Sequence, residues 1–128
     1  MPDTQSPTST ASTILPTDPK ERKKIPLGSG LFDYFASALI EVAKVSYAGN
    51  VQHNGEGAPM EWVRGTSSDH EDTILRHYVE RGGFDTDGVR HSAKLAWRAL
   101  AICQMEMEAA GAPKARRAKS YKSDLKER

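Results

Sequence analysis

The chain has 128 residues, 18 Lys+Arg against 17 Asp+Glu for a formal charge of +1, and 38% hydrophobic and 27% charged residues. That is room for one domain. No apolar run approaches the ~20 residues of a membrane span, the N-terminus lacks the charged-then-apolar order of a secretory leader, and the lone Cys103 excludes a disulfide framework and a Cys-based zinc ribbon. A small cytoplasmic protein with no membrane partner is expected.

The charge is unevenly spread. Seven basic and two acidic side chains fall in 114–128, leaving 27–113 at about −5. An acidic body predicts no strong nucleic-acid binding by the folded part, which would need clustered positive charge.

Residues 1–26 open with a Ser/Thr/Pro-rich run that offers too little apolar area to offset backbone ordering, so a disordered lead is expected. The body, 27–112, reads as an all-α fold of three principal helices. In 31–48, Leu31, Phe35, Leu39, Val42 and Val45 recur every three or four residues, and Gly49-Asn50 then reads as a stop. A long irregular loop follows over 50–66, pinned by Met60, Trp62 and Val63.

Ser68 and Glu71 have the spacing of a capping box, which opens a second helix running to Arg81, before Gly82-Gly83. Its apolar arc is Ile74, Leu75, Tyr78 and Val79. The third helix is predicted to start at Thr86 or Asp87 and end at Gly111, with Pro113 beyond. Val89, Ala93, Ala96, Leu100, Cys103 and Met107 form an inner seam on which Cys103 is a buried structural thiol. His91, Leu95, Arg98 and Ile102 make a second stripe. Two stripes need two covering layers, so a homo-oligomer, dimer or higher, is expected to complete the bundle. The remaining 113–128 is a basic tail.

Familiar catalytic spacings are absent: no Walker A loop, no dinucleotide-binding glycines, no G-x-S-x-G elbow. His70-Glu71 fails as a zincin motif because Ile74 stands where the second histidine belongs, and no His-Asp doublet exists. What remains is polar groups beside apolar faces: Glu41 on helix one, Asp72 with Arg76-His77 on helix two, and Asp85, Asp87 and His91 around the start of helix three. Carboxylates converging from separate helices suit a hard divalent cation. Each could equally be a cap or a solvated flank. Trp62, on the loop, is the aromatic best placed to stack on a base.

Taken in order, several short motifs make a pattern. They are Arg-Lys-x-x-Pro from Arg22 and Leu-x-Glu-x-Ala from Leu39, then Tyr47, Gly49 and Asn50, then Gly-x-Pro-Met-x-Trp ending at Trp62. Asp72 with Arg76-His77, a Gly-Gly, and Asp85-x-Asp87-Gly88-x-x-His91 complete it. Over about two thirds of its length the chain thereby resembles small phage-encoded proteins described as the N-terminal domain of dATP/dGTP diphosphohydrolases, relatives of the MazG-like nucleotide pyrophosphohydrolases. The resemblance implies an oligomeric all-α enzyme of phage nucleotide metabolism, acting in the host cytoplasm. Its reaction would be Mg²⁺-dependent (or Mn²⁺-dependent) hydrolysis of purine deoxynucleoside triphosphates to monophosphate and pyrophosphate. On that reading Glu41, Asp72 and Asp87 hold the metal, and Arg76, His77 and His91 are catalytic. Lys44, Asn50, Trp62 and Lys94 bind the nucleotide. Those relatives carry Glu-Glu-x-x-Glu on one helix and Glu-x-x-Asp on the next, whereas here helix one offers Glu41 alone. A non-catalytic nucleotide-binding module is therefore the first alternative, and a protein-interaction adaptor the second.

Overall fold

The computed structural model describes residues 14–65 and 69–119. A single helical turn, Pro19–Arg22, precedes a π-helical segment, Leu27–Phe32, which runs into the first long helix. The tight entry depends on Gly30. Its amide donates to the Pro26 carbonyl at 2.8 Å, and a Cβ there would stand 2.8 Å from the Pro26 ring.

Helix α1 spans Asp33–Asn54, α2 His70–Val79 and α3 His91–Ala109. The fold is mostly helical, as expected. α3 lies at the centre and packs against both α1 and α2. Two small alanines, Ala93 and Ala101, are its most buried side chains, and small side chains let neighbouring helices approach closely. Trp97 ties α3 to α1 by donating from Nε1 to Ser46 Oγ at 2.9 Å.

Gly49-Asn50 does not stop α1. The helix continues to Asn54 and ends at Gly55, whose φ of +98° supplies the left-handed turn. Asn50 is buried and its amide holds the following loop. Nδ2 donates to the Ala58 carbonyl at 3.0 Å, while Oδ1 accepts from the Glu61 amide at 2.9 Å and from Asn54 Nδ2 at 2.7 Å. These bonds outweigh the modest helix cost of Gly and Asn.

The helix faces differ from the apolar periodicity. At the start of α1, Leu31 and Phe35 are exposed, and Phe35 leaves helical geometry at φ −126°. On α2 the arc Leu75, Tyr78 and Val79 points outward; Thr73 is buried, and His70, Ile74 and His77 are half-buried. On α3, Leu100, Cys103 and Met107 are exposed. Lys94, Trp97, Gln104 and Glu108 are half-buried instead. The cause is packing: α3 meets its neighbours through alanines, which turns its larger apolar groups away and brings polar side chains inward.

The third helix also starts later than predicted. Residues 84–90 form a small hairpin, with Phe84 bridged to Arg90 and the Asp85 amide donating to the Val89 carbonyl at 2.8 Å. Asp85-Thr86-Asp87-Gly88 is its turn, closed by Gly88 at φ +80°. Asp first and Gly fourth is favourable turn chemistry, and it wins over helix capping here. At the other end α3 stops as predicted. The Ala112 amide donates to the Met107 carbonyl at 2.9 Å and that of Gly111 (φ +112°) to Glu108 at 3.0 Å, a Schellman pair.

Past Pro113 the described chain returns to the body. Strand β1 (Trp62–Val63) and strand β2 (Ala118–Lys119) pair in parallel, Trp62 opposite Ala118. Ser68 of the expected capping box, the lead before residue 14 and the tail beyond 119 lie outside the described residues. Among those described, no helix is long and apolar enough to cross a membrane.

Candidate functional site

The Asp85–Gly88 turn sets one side chain from a loop beside α2 and α3. His77 on α2 and His91, the first residue of α3, face each other with Nδ1 atoms 2.9 Å apart and rings tilted by 36°. His91 is buried, and its Nε2 lies 3.7 Å from Glu80 Oε1, an ion-pair distance longer than a hydrogen bond. Asp85 completes the group: one atom each from His77, Asp85 and His91 lie within 4.8 Å of one another. No other such trio occurs among the described residues.

Lys94, one turn into α3, sits against this group. Its Nζ is 2.8 Å from Asp85 Oδ2 and 2.8 Å from Asp87 Oδ2. Burial works against the Lys94 charge, but the two carboxylates outweigh it and raise its pKa. The same hydrogen bond, with one from the Thr86 amide, holds Asp85 down to about 2, and Lys94 lowers Asp87 as well. Burial first, then neighbouring His91 and Lys94, lowers His77. His77 is thereby biased towards neutral imidazole, the form that either accepts a hydrogen bond or ligates a metal.

His77, Asp87 and Lys94 also line a cavity of about 870 Å³. Trp62 and Trp97 stand on it edge to face, centroids 5.6 Å apart. The Arg64 guanidinium lies 3.9 Å over the Trp62 ring and forms two hydrogen bonds with Glu108, 2.9 and 2.8 Å. These bonds, with Gln104 and the Ala115 amide also donating, pull the Glu108 carboxyl to about 2. Arg98 Nη1 donates to His70 Nδ1 at 3.0 Å on the same wall.

The structure brings together some of the sequence-predicted site and disperses the rest. His77, His91, Lys94, Asp87 and Trp62 belong to the cavity or its margin. Glu41, Asp72 and Asp87 do not converge as a metal trio. Glu41 is held by Lys44 at 2.7 Å with Arg90 at 4.0 Å, Asp72 is exposed in the first turn of α2, and Asp87 is bound to Lys94. Glu41 and Asp87 are each neutralised by a cation of their own, and Asp72 is left to solvent. Lys44 is accordingly paired on the outer face rather than in the cavity, and Arg76 bonds Thr73 Oγ1 at 3.0 Å and Asp69 at 3.3 Å on the exposed side of α2. Asn50 borders the cavity, but its amide is committed to the loop.

The residue pattern names Asp85 beside a possible cation without assigning it as a ligand, and gives no role to Arg64 or Glu108. Asp85 had a signal in the Asp-x-Asp-Gly turn six residues before His91. The Arg64–Glu108 pair, 44 residues apart, had none. Compared with known proteins, the chain matches no family model, no curated protein and no solved structure.

Proposed function

We propose that the chain is a metal-dependent hydrolase of purine deoxynucleoside triphosphates, releasing monophosphate and pyrophosphate. The observation that carries this reading is the His77–Asp85–His91 group at the margin of a cavity that also holds Trp62, Trp97 and several cations. Two imidazoles and one carboxylate are a better donor set for a first-row transition ion than for Mg²⁺, which prefers oxygen ligands. Of the two ions expected, Mn²⁺ is the one these residues suit. Nitrogens 2.9 Å apart are close to the ~3 Å separation of two right-angle ligands each about 2.1 Å from one ion.

When bound, such an ion supplies Lewis acidity and a water of lowered pKa. The chain's own groups do the rest. His77, biased towards its neutral form, and His91 offer ring nitrogens, and Glu80 stands behind the far nitrogen of His91 to favour its orientation. Trp62 and Trp97 offer ring faces and edges to a purine, a stack worth roughly 1–3 kcal/mol. Lys94 balances Asp85 and Asp87, and on ligand binding its ammonium can turn to a phosphoryl oxygen.

The test is pyrophosphate release from dATP and dGTP with Mn²⁺, Mg²⁺ or EDTA. Release with Mn²⁺, lost in His91→Ala and with EDTA, is expected; absence of release with every divalent ion sinks the enzyme reading. A binding-only module is the second reading, favoured by one observation: Lys94 already occupies Asp85 Oδ2 and Asp87 Oδ2. Calorimetry with heat of binding and no turnover selects it. Self-association belongs to the same proposal, supported by the outward Leu75, Tyr78 and Val79 of α2, which are 61%, 49% and 76% exposed. Light scattering should give at least twice 14.1 kDa, and a monomer at high concentration would remove it.

A further inference from the structure

Residues 115–117, at the start of the basic stretch, are part of the cavity wall. After α3 the chain turns back and is fastened at four points. The Ala115 amide donates to Glu108 Oε2 at 2.8 Å, the Trp62 amide to the Arg117 carbonyl at 2.7 Å, the Arg64 amide to the Lys119 carbonyl at 3.0 Å, and Lys119 Nζ reaches Glu61 at 2.9 Å. Between these points Arg117 has φ +61°, the one positive value at a non-glycine residue among those described. A left-handed residue with a Cβ costs on the order of 1 kcal/mol and persists only where its neighbours impose it. Here the bonds on both sides do so, and the result is that Arg116 and Arg117 both line the cavity.

Their charges are uncommitted. Lys94 faces Asp85 and Asp87, Arg64 faces Glu108, and Arg98 contacts His70. Among the described residues, neither Arg116 nor Arg117 has a side-chain hydrogen bond or ion pair, and both are exposed. Trp62 and Trp97 line the same cavity as these two guanidiniums, and the Trp62 amide bonds the Arg117 carbonyl; indoles beside guanidiniums complement a ligand with a flat ring and a polyanionic end. Guanidinium binds phosphate through paired N–H donors, which an ammonium cannot reproduce.

We propose that Arg116 and Arg117, delivered by the returning β2 segment, clamp the polyphosphate end of the nucleotide in this cavity. The proposal rests on the nucleotide reading above and adds binding residues that the helical body does not contain. Because backbone atoms make the strand pairing, replacing these two side chains leaves the pairing intact.

The experiment follows tryptophan fluorescence of the full chain, which reports Trp62 and Trp97 only. Inorganic tripolyphosphate, α,β-methylene dATP and deoxyadenosine are titrated in metal-free buffer. Arg116→Gln with Arg117→Gln should weaken both phosphate probes about tenfold or more, as expected for losing charged hydrogen bonds, and leave deoxyadenosine unchanged. Arg116→Lys with Arg117→Lys should recover part of the loss, and urea unfolding should show all three proteins folded. Unchanged affinity for α,β-methylene dATP in the Gln variant overturns the clamp while leaving the nucleotide reading intact. Tripolyphosphate bound by wild type and lost in the Gln variant, with deoxyadenosine never bound, supports the clamp and removes the nucleotide reading. A wild type that takes up neither phosphate probe overturns the clamp outright.

Discussion

Replacing Glu108 by Gln tests what holds the tail and the cavity wall together. The carboxylate accepts from both Arg64 guanidinium nitrogens at 2.9 and 2.8 Å, from Gln104 at 2.8 Å and from the Ala115 amide at 2.8 Å. Side chains 15% and 14% exposed leave water little access to Arg64 or Glu108. Leaving one member of a buried pair unpartnered costs ~3–5 kcal/mol, and the residual exposure brings that to about 2–3 kcal/mol. With a urea slope of ~1.5 kcal/mol per M, the midpoint should fall by about 1.3–2 M. A fall under about 0.3 M refutes the argument, as does a double-mutant cycle with Arg64→Met giving no coupling.

The pH dependence gives an independent reading of the same pair. The folded pKa of Glu108 is depressed from 4.5 to about 2. Its contribution is therefore complete above 4.5 and is lost as pH falls towards 2. Asp85, also at about 2, loses its contribution over a similar range. Glu108→Gln should remove part of the acid-side slope and leave the part due to Asp85. An unaltered slope below pH 4.5 would contradict the assignment.

Three further outcomes follow from the geometry. Lys94→Met frees Asp85 Oδ2, so NMR titration should find the Asp85 carboxyl well above 2 and Mn²⁺ bound more tightly; weaker metal binding would place Lys94 in support of the site rather than in competition with it. Gly88→Ala should cost about 1 kcal/mol in urea unfolding, since φ is +80° and a Cβ there meets nothing within 4 Å; no loss would mean the turn readily adopts another conformation. Asn50→Ala should cost about 1–3 kcal/mol and speed hydrogen exchange at the Glu61 amide, which loses its acceptor. Unchanged exchange there would show that the loop is held by other contacts.

Some of this was legible from residue order alone. Helical periodicity located three helices, and glycine with proline located the end of α3, because backbone propensity and capping are local. Asp85, Asp87 and His91 stood out as candidates for the same reason, although the residues before His91 were read as a helix start and form a hairpin turn instead. Helix orientation was not. The apolar seam of α3 holds at Val89 and Ala93, which are buried, and fails beyond them: Leu100, Cys103 and Met107 are exposed, Ala101 is buried in their place, and Lys94, Trp97 and Glu108 are half-buried.

What tertiary structure alone decided is which charges meet. Glu41, Asp72 and Asp87 are all carboxylates on separate segments, but Lys44 and Arg90 take the first, solvent the second and Lys94 the third. Arg64 met Glu108, and the tail met β1, through contacts between distant residues that no local pattern encodes. Short-range preference determines where the backbone can coil, and close packing of distant segments determines which electrostatic partner each side chain finds.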